Sequence, residues 1–174
     1  MQKLHEFAPD AALPTVLDIE ASGFGRGSYP IEIGLARADG SVCAFLVQPL
    51  DEWTHWDPKA ELLHGISRDQ LMREGHPVRQ VAHWLNDELS AIGKAYSDSW
   101  GYDNTWLSLL FHHAGMVPRF RLEALRILLS ESQQALWSDT KEAIITAEPI
   151  QRHRAGDDAR LLQLTYQRTR GACA

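Results

Sequence analysis

Leu13, Val16, Leu17 and Ile19 form an apolar run that carries two acids, Asp18 and Glu20, before Ala21-Ser22-Gly23 breaks it. Such a run predicts an inner strand of a sheet. Alternation along a strand puts Asp18 and Glu20 on one face, about 7 Å apart along the backbone. Carboxylates so placed repel unless a cation lies between them, and the plain alternative is that both are hydrated where the strand leaves the core.

The pattern continues with a glycine-rich loop from Gly23 to Ser28, a second strand over Pro30 to Ala36, the hairpin signal Asp39-Gly40, and a third, antiparallel strand over Val42 to Val47. Pro49 to Leu63 reads as irregular and rich in aromatics. Its Trp53, His55 and Trp56 are expected to pack onto the domain surface, the alternative being a grip on a strand or a partner. Ser67 suits the N-cap of a turn through Met72, and after Pro77 the stripe Val78, Val81, Ala82, Leu85, Leu89 predicts a longer helix. Ala91 to Ser97 reads as a fourth strand. Asp103 opens a helix that buries Trp106, Leu107, Leu110, Phe111 and Ala114 and closes at Gly115 and Pro118.

Phe120 to Leu125 suits a short fifth strand, although periodicity does not separate strand from helix there. Helical patterning runs from Arg126 to Ala147 and stops at Pro149, and a last helix begins at Asp157 or Asp158 with Ala159, Leu161, Leu162, Leu164 and Tyr166 behind it. The order of elements predicts a mixed α/β layer fold. Residues 1–12 lack any period and read as a flexible arm ahead of one domain over 13–174.

Composition narrows the function. A chain of 174 residues buries about 70% of its unfolded surface and needs no second domain. The net charge of −6 argues against a broad basic surface for long duplex nucleic acid. It leaves room for a short nucleic-acid end held through divalent cations, which reverse the local field. Cys43 and Cys173 are too few and too far apart for a disulfide framework or a zinc site, and the sequence shows neither a signal peptide nor a membrane-spanning run. A cytoplasmic protein without membrane attachment is the expectation.

Three acidic positions stand where regular elements begin or end: Asp18 with Glu20, Asp103, and Asp158. If those ends converge, their hard oxygen ligands select Mg²⁺ or Mn²⁺, and a pair of such ions suits phosphodiester hydrolysis. Taken singly, Asp103 also serves as an N-cap and Asp158 as a first-turn acid favoured by the helix dipole. His153, five residues before Asp158 in a loop made pliable by Gly156, is placed to take a proton from attacking water, or else is a solvent-exposed loop histidine.

The segments Asp18-Ile-Glu20, Tyr102-Asp103 and His153-Arg-Ala155-Gly-Asp-Asp158-Ala159 resemble, in order and spacing, the three motifs of the DEDDh 3′-5′ exonucleases. That family includes polymerase proofreading subunits, ribonuclease T and oligoribonuclease. His64-Gly65-Ile66-Ser67 is similar to a turn often found between the first two motifs, and the likeness runs from Val16 to Leu164. The resemblance implies an α/β ribonuclease H-like fold, a mixed central sheet of about five strands flanked by helices. It implies two divalent metal ions held by Asp18, Glu20, Asp103 and Asp158, with His153 as general base, in an enzyme that releases nucleoside 5′-monophosphates from the 3′ end of single-stranded RNA or DNA. It also implies substrate contacts at Ser22, Gly23, Phe24 and His64, to which the sequence adds Trp100 as a stacking surface or a ring packed beneath the site.

Two departures stand out. Ser22-Gly23-Phe24 replaces the usual Thr-Gly-Leu and is followed by a glycine-rich insertion. Ser99-Trp100-Gly101 ahead of Asp103 is more similar to the RNA-processing and sporulation-regulator branches, which favours RNA. Asp98 and Asp157 are the rival acids, and family spacing prefers Asp103 and Asp158. Relatives that form homodimers make a homodimer an expectation. The competing classes are a catalytically silent nucleic-acid-binding or regulatory module of the same fold, and a metal phosphatase acting on small esters.

Overall fold

The computed structural model describes residues 13–172, so the predicted arm over 1–12 and Cys173 lie outside the described residues. Its elements are β1 (Val16–Ala21), β2 (Pro30–Ala36), β3 (Val42–Leu46), α1 (Pro58–His64), α2 (Arg68–Glu74), α3 (Val78–Leu89), β4 (Lys94–Ser97), α4 (Trp100–Ala114), β5 (Arg121–Ala124), a 3₁₀ turn (Leu125–Leu128), α5 (Glu131–Ala147) and α6 (Ala155–Ala172). The five strands form one sheet in the order β3-β2-β1-β4-β5. β1 pairs antiparallel with β2 and parallel with β4, so the first strand is the central one and the sheet is mixed, as expected.

Alternation decides which side of the sheet each residue serves. Leu17, Ile19 and Ala21 of β1 join Ile31, Ile33 and Leu35 of β2 in the main core, against Val81, Leu85 and Leu89 of α3 and Trp106, Leu107 and Leu110 of α4. Val16 and Ala36 belong to a second cluster with Ala159 and Leu162 of α6, so the residues of that parity, Asp18 and Glu20 among them, face the α6 layer. The central strand thus presents its apolar set to one layer and its two acids to the other.

Sequence and structure part in five places, one of them β4, which begins at Lys94 and not at Ala91. Pro58–His64 is helical, capped by the Asp57 side chain accepting from the Lys59 N–H, with a proline in its first turn and a left-handed Gly65 at its end. Leu62 and Leu63 of that helix are exposed, so no apolar stripe announces it. α4 begins at Trp100, which puts Asp103 inside the first turn instead of at the cap. α6 begins at Ala155, ahead of the expected Asp157 or Asp158. α5 begins at Glu131 behind a capping box made by Ser130 and Gln133, and the predicted start at Arg126 falls in the 3₁₀ turn. Trp53 is buried and stacks on Tyr29 at 5.1 Å, in keeping with the packing role. No helix among the described residues is long and apolar enough to cross a membrane.

Candidate active site

The end of β1, the first turns of α4 and α6, the loop ahead of α6 and the last turn of α1 enclose one cleft of about 240 Å³, whose lining includes Asp18, Glu20, Gly23, Phe24, His64, Asp103, His153 and Asp158. All five residues expected to carry chemistry therefore meet, although they are scattered from position 18 to 158.

Two close approaches bring α6 to the sheet. Gly34 pairs with Asp18 across the ladder, and a Cβ there would stand 2.2 Å from the Ala155 carbonyl carbon and 2.3 Å from the Gly156 nitrogen. Only glycine admits the start of α6 at that depth. Beside it, buried Glu32, opposite Glu20, accepts from the Ala155 N–H at 2.9 Å and pairs with Arg154 at 2.6 Å. A carboxylate at a helix N-terminus, neutralised by a guanidinium, fixes where that turn sits. Asp158 follows one turn later and is held over the acids of β1.

The electrostatics are those of crowded anions. Burial pushes the Asp18 carboxyl well above the usual carboxylate range, and the charges of Asp103, Glu20, Asp158 and Asp98 add to that push. Glu20 is raised to about 7 by burial, then by Asp158 and Glu32, with Arg152 and Arg154 pulling the other way. Asp103 is also raised to about 7, chiefly by burial; the Ser97 hydroxyl, which donates to it from the last residue of β4, opposes the shift, and Asp98 and Glu20 reinforce it. Acids that hold protons this tightly fit a divalent cation, because hard oxygen donors bind such an ion as carboxylates and release their protons to do so. The tightest group among the described residues is Glu20, His153 and Asp158, each presenting an atom within 4.8 Å of the others.

His153 has φ 62, a left-handed backbone that is uncommon outside glycine. The turn aims its N–H at Asp158 Oδ2, 2.8 Å away, while Arg152 Nε donates to Oδ1 at 2.7 Å. Of the rival acids, Asp157 accepts from the Gln151 N–H and lies outside the cleft lining, whereas Asp98 lines the cleft and pairs with Lys141 at 3.5 Å.

The substrate-facing candidates divide. His64 is buried, its Nδ1 accepts from the Ile66 N–H at 3.0 Å, and burial holds its pKa below the ordinary value. A neutral ring that accepts at Nδ1 carries its proton on Nε2, and that buried Nε2 has no partner among the described residues. Gly23 lines the cleft at φ 136, where a Cβ would meet the Asp57 side chain at 2.6 Å. Phe24 is 66% exposed and packs edge-on against Tyr102 at 5.1 Å.

Ser22 is otherwise engaged: its hydroxyl accepts from the Tyr29 N–H and meets His55 Nδ1 at 3.0 Å, its N–H donates to the Tyr29 carbonyl, and its carbonyl accepts from Asp57. It braces the loop from inside. Trp100 also lies outside the cleft lining, with its indole N–H donating to the Leu122 carbonyl at 2.7 Å. The aromatic wall is made instead by Phe24, Tyr102 and Trp106, the last two stacked at 5.7 Å, with exposed Leu63 at the same mouth. Sequence reasoning missed Tyr102, Leu63, Arg152 and Lys141. The i, i+4 spacing of Tyr102 and Trp106 in the turn that carries Asp103 was the available signal.

A pH dependence follows from these shifts. Glu20 and Asp103 hold protons up to about pH 7, so a cation has to displace them below that point. Mn²⁺ affinity measured by calorimetry is expected to rise steeply from pH 5.5 to 7, by on the order of tenfold per pH unit for each displaced proton, and to level off by pH 8. An affinity flat over that range would remove these acids from the ion's ligands.

No family profile and no curated protein matches the sequence. Solved structures do match in fold. Exonuclease I of E. coli in complex with a dA16 oligonucleotide superposes with a TM-score of 0.68 at 13% identity, over 92% of this chain and 41% of that one. A zinc-bound form of the E. coli exonuclease I complex with single-stranded DNA gives 0.65 at 17% identity, over 92% and 41%. The moderately thermophilic exonuclease I of Methylocaldum szegediense gives 0.70 at 15% identity, over 91% and 40%. The chain thus spans about two-fifths of the length of these proteins, and what it shares with them is the ribonuclease H-like fold expected from the sequence.

Proposed function

We propose that the cleft is the active site of a metal-dependent 3′-5′ exonuclease that removes nucleoside 5′-monophosphates from single-stranded nucleic acid. The single observation that carries this reading is the convergence of Asp18, Glu20, Asp103, His153 and Asp158 on one cleft, where burial and neighbouring acids raise the carboxyls of Asp18, Glu20 and Asp103. Asp18, Glu20, Asp103 and Asp158 would hold two divalent cations, Mg²⁺ or Mn²⁺, which when bound polarise the phosphoryl oxygens and acidify water. The fold is shared with exonuclease I structures that carry single-stranded DNA, which supports a single-stranded substrate.

The chain's own residues supply the rest. His153 accepts the proton of the water whose oxygen bonds to the terminal phosphorus, and the bond from phosphorus to the 3′ oxygen of the shortened strand breaks as that oxygen gains a proton. The Nε2–H of His64, which has no partner among the described residues, donates to the sugar or phosphate of the terminal nucleotide. Phe24 and Tyr102 take the terminal base, a stack worth about 1–3 kcal/mol. RNA is favoured over DNA by Ser99-Trp100-Gly101 alone.

Matched RNA and DNA oligonucleotides labelled at the 3′ end, single-stranded and duplex, test the reading with Mg²⁺ or Mn²⁺ present. Release of labelled mononucleotide, abolished by a chelator and restored by the metal, is the expected result. Tight binding without turnover in either metal would show a silent binding module instead, and hydrolysis of a chromogenic phosphate ester alone would show a phosphatase.

A further inference from the structure

Two arginines flank His153, and they are held very differently. Arg154 makes three contacts through Nε and Nη2 to Glu32, whose side chain is 3% exposed and which lies outside the cleft lining. It is a fixed clamp. Arg152 lines the cleft, its side chain is 37% exposed, and it reaches Asp158 through Nε at 2.7 Å, with no bond from its two amino groups among the described residues. Its charge also acts on Glu20, so one guanidinium serves both acids of the group that Glu20, His153 and Asp158 form.

A lone contact made by a partly exposed arginine is weak and easily exchanged. A divalent cation is the better partner for Asp158, because carboxylate oxygens suit a hard dication and Arg152 cannot enter its coordination shell. Once displaced, a planar fork of donors stands in the cleft with Lys141, where the acidic side chains of the lining are Asp18, Glu20, Asp98, Asp103 and Asp158. A nucleic-acid strand brings its own negative charge into that space. The group it lacks is a cation matched to the two free oxygens of a phosphodiester, and that is the geometry of guanidinium.

We propose that Arg152 is an exchangeable counter-cation: it occupies Asp158 until a divalent cation takes that carboxylate, and then binds the phosphodiester of the strand. The proposal rests on the nuclease reading and gives it a coupling, since by linkage whatever the cation does for strand affinity the strand does for cation affinity. Arg152 is then a positioning residue for substrate, and cation and strand bind cooperatively.

The test is Mn²⁺ binding, followed by the resonance signal of free Mn²⁺, with and without a hydrolysis-resistant phosphorothioate oligonucleotide. It compares the intact chain with Arg152→Ala and Arg152→Lys, each first shown folded by its melting curve. In the intact chain the oligonucleotide should tighten Mn²⁺ binding by about 5- to 150-fold, the usual range of coupling between sites. Arg152→Ala should bind Mn²⁺ more tightly than the intact chain when no oligonucleotide is present, lose most of the enhancement, and raise KM for a cleavable strand more than it lowers kcat. Arg152→Lys keeps the charge without the fork, so it should recover the weaker cation binding and only part of the enhancement. An Arg152→Ala chain with unchanged or weaker Mn²⁺ affinity, or with the full enhancement, overturns the proposal while turnover continues. Intact protein that takes up no Mn²⁺ overturns the nuclease reading, and this proposal with it.

Discussion

Replacing Asp18 by asparagine is expected to give a protein that melts higher than the original in chelator at pH 8 and yet releases no measurable mononucleotide. Asp18 faces the α6 layer from the central strand, and its carboxyl is raised by burial and by four neighbouring acids. The sign follows from linkage. A carboxyl whose folded pKa exceeds its unfolded value costs nothing below the unfolded value. Its cost accumulates as pH rises toward the folded value and is complete above it. Asparagine keeps the shape and removes the charge, so the variant should gain about 0.5–2 kcal/mol at pH 8, the range common to single stabilising substitutions.

That gain should shrink away as pH falls below about 3.8, the ordinary value of this carboxyl, where the acid becomes neutral in both states. Saturating Mn²⁺ reverses the order, because a ligand that binds the folded state stabilises the protein able to hold it. Turnover should fall by at least about 10²- to 10³-fold, the loss typical of removing one preorganised electrostatic element. Melting curves of both proteins across pH, with and without Mn²⁺, together with the oligonucleotide assay, check all of this. A variant that melts lower at pH 8 in chelator would show that Asp18 is a satisfied structural acid.

Much of the fold could be read from pattern because the decisive signals are local. The apolar runs of Val16–Ala21 and Pro30–Ala36, the Asp39-Gly40 turn and the stripe from Val78 to Leu89 all survive in the structure. α1 escaped because it is short and lies on the surface, with exposed Leu62 and Leu63 leaving capping by Asp57 as its main signal. The early start of α6 escaped because it depends on a partner from a distant strand, Glu32. No window of local sequence contains that contact.

The site shows the same division. Asp18, Glu20, Asp103, His153 and Asp158 sit in motifs with fixed spacing and line one cleft, because each motif marks the end of an element and those ends lie at one end of the sheet. The resemblance points to the backbone around Ser22, and Trp100 reads as a stacking surface or a packed ring; neither reading sets the direction of a side chain. Ser22 turns inward to Tyr29 and His55, and Trp100 turns to the Leu122 carbonyl. Tyr102 and Leu63 reach the cleft from two different helices, one of which carried no readable stripe.

Gly34→Ala is the substitution that joins fold to chemistry most directly. The added methyl would sit 2.2 Å from the Ala155 carbonyl carbon, 2.3 Å from the Gly156 nitrogen and 2.4 Å from the Ala155 carbonyl oxygen. All three are backbone atoms, so no side chain can swing aside. Relief requires the start of α6 to rise off the sheet, which stretches the bonds from Arg154 and the Ala155 N–H to Glu32 and lifts Asp158 from the acids of β1. Overpacking of this kind costs about 1–3 kcal/mol where side chains give way, and backbone against backbone belongs at the upper end or above it. A displacement of about 1 Å at a reacting centre is enough to lose on the order of 10² in rate. The variant is therefore expected to unfold at markedly lower denaturant and, where still folded, to bind Mn²⁺ more weakly and lose most of its turnover. Gly40→Ala is the matched control, because a Cβ at that positive-φ turn meets nothing within 4 Å and should cost stability without touching the cation site. Equal Mn²⁺ affinity in the folded fractions of both variants would mean that α6 does not set the geometry of the acids.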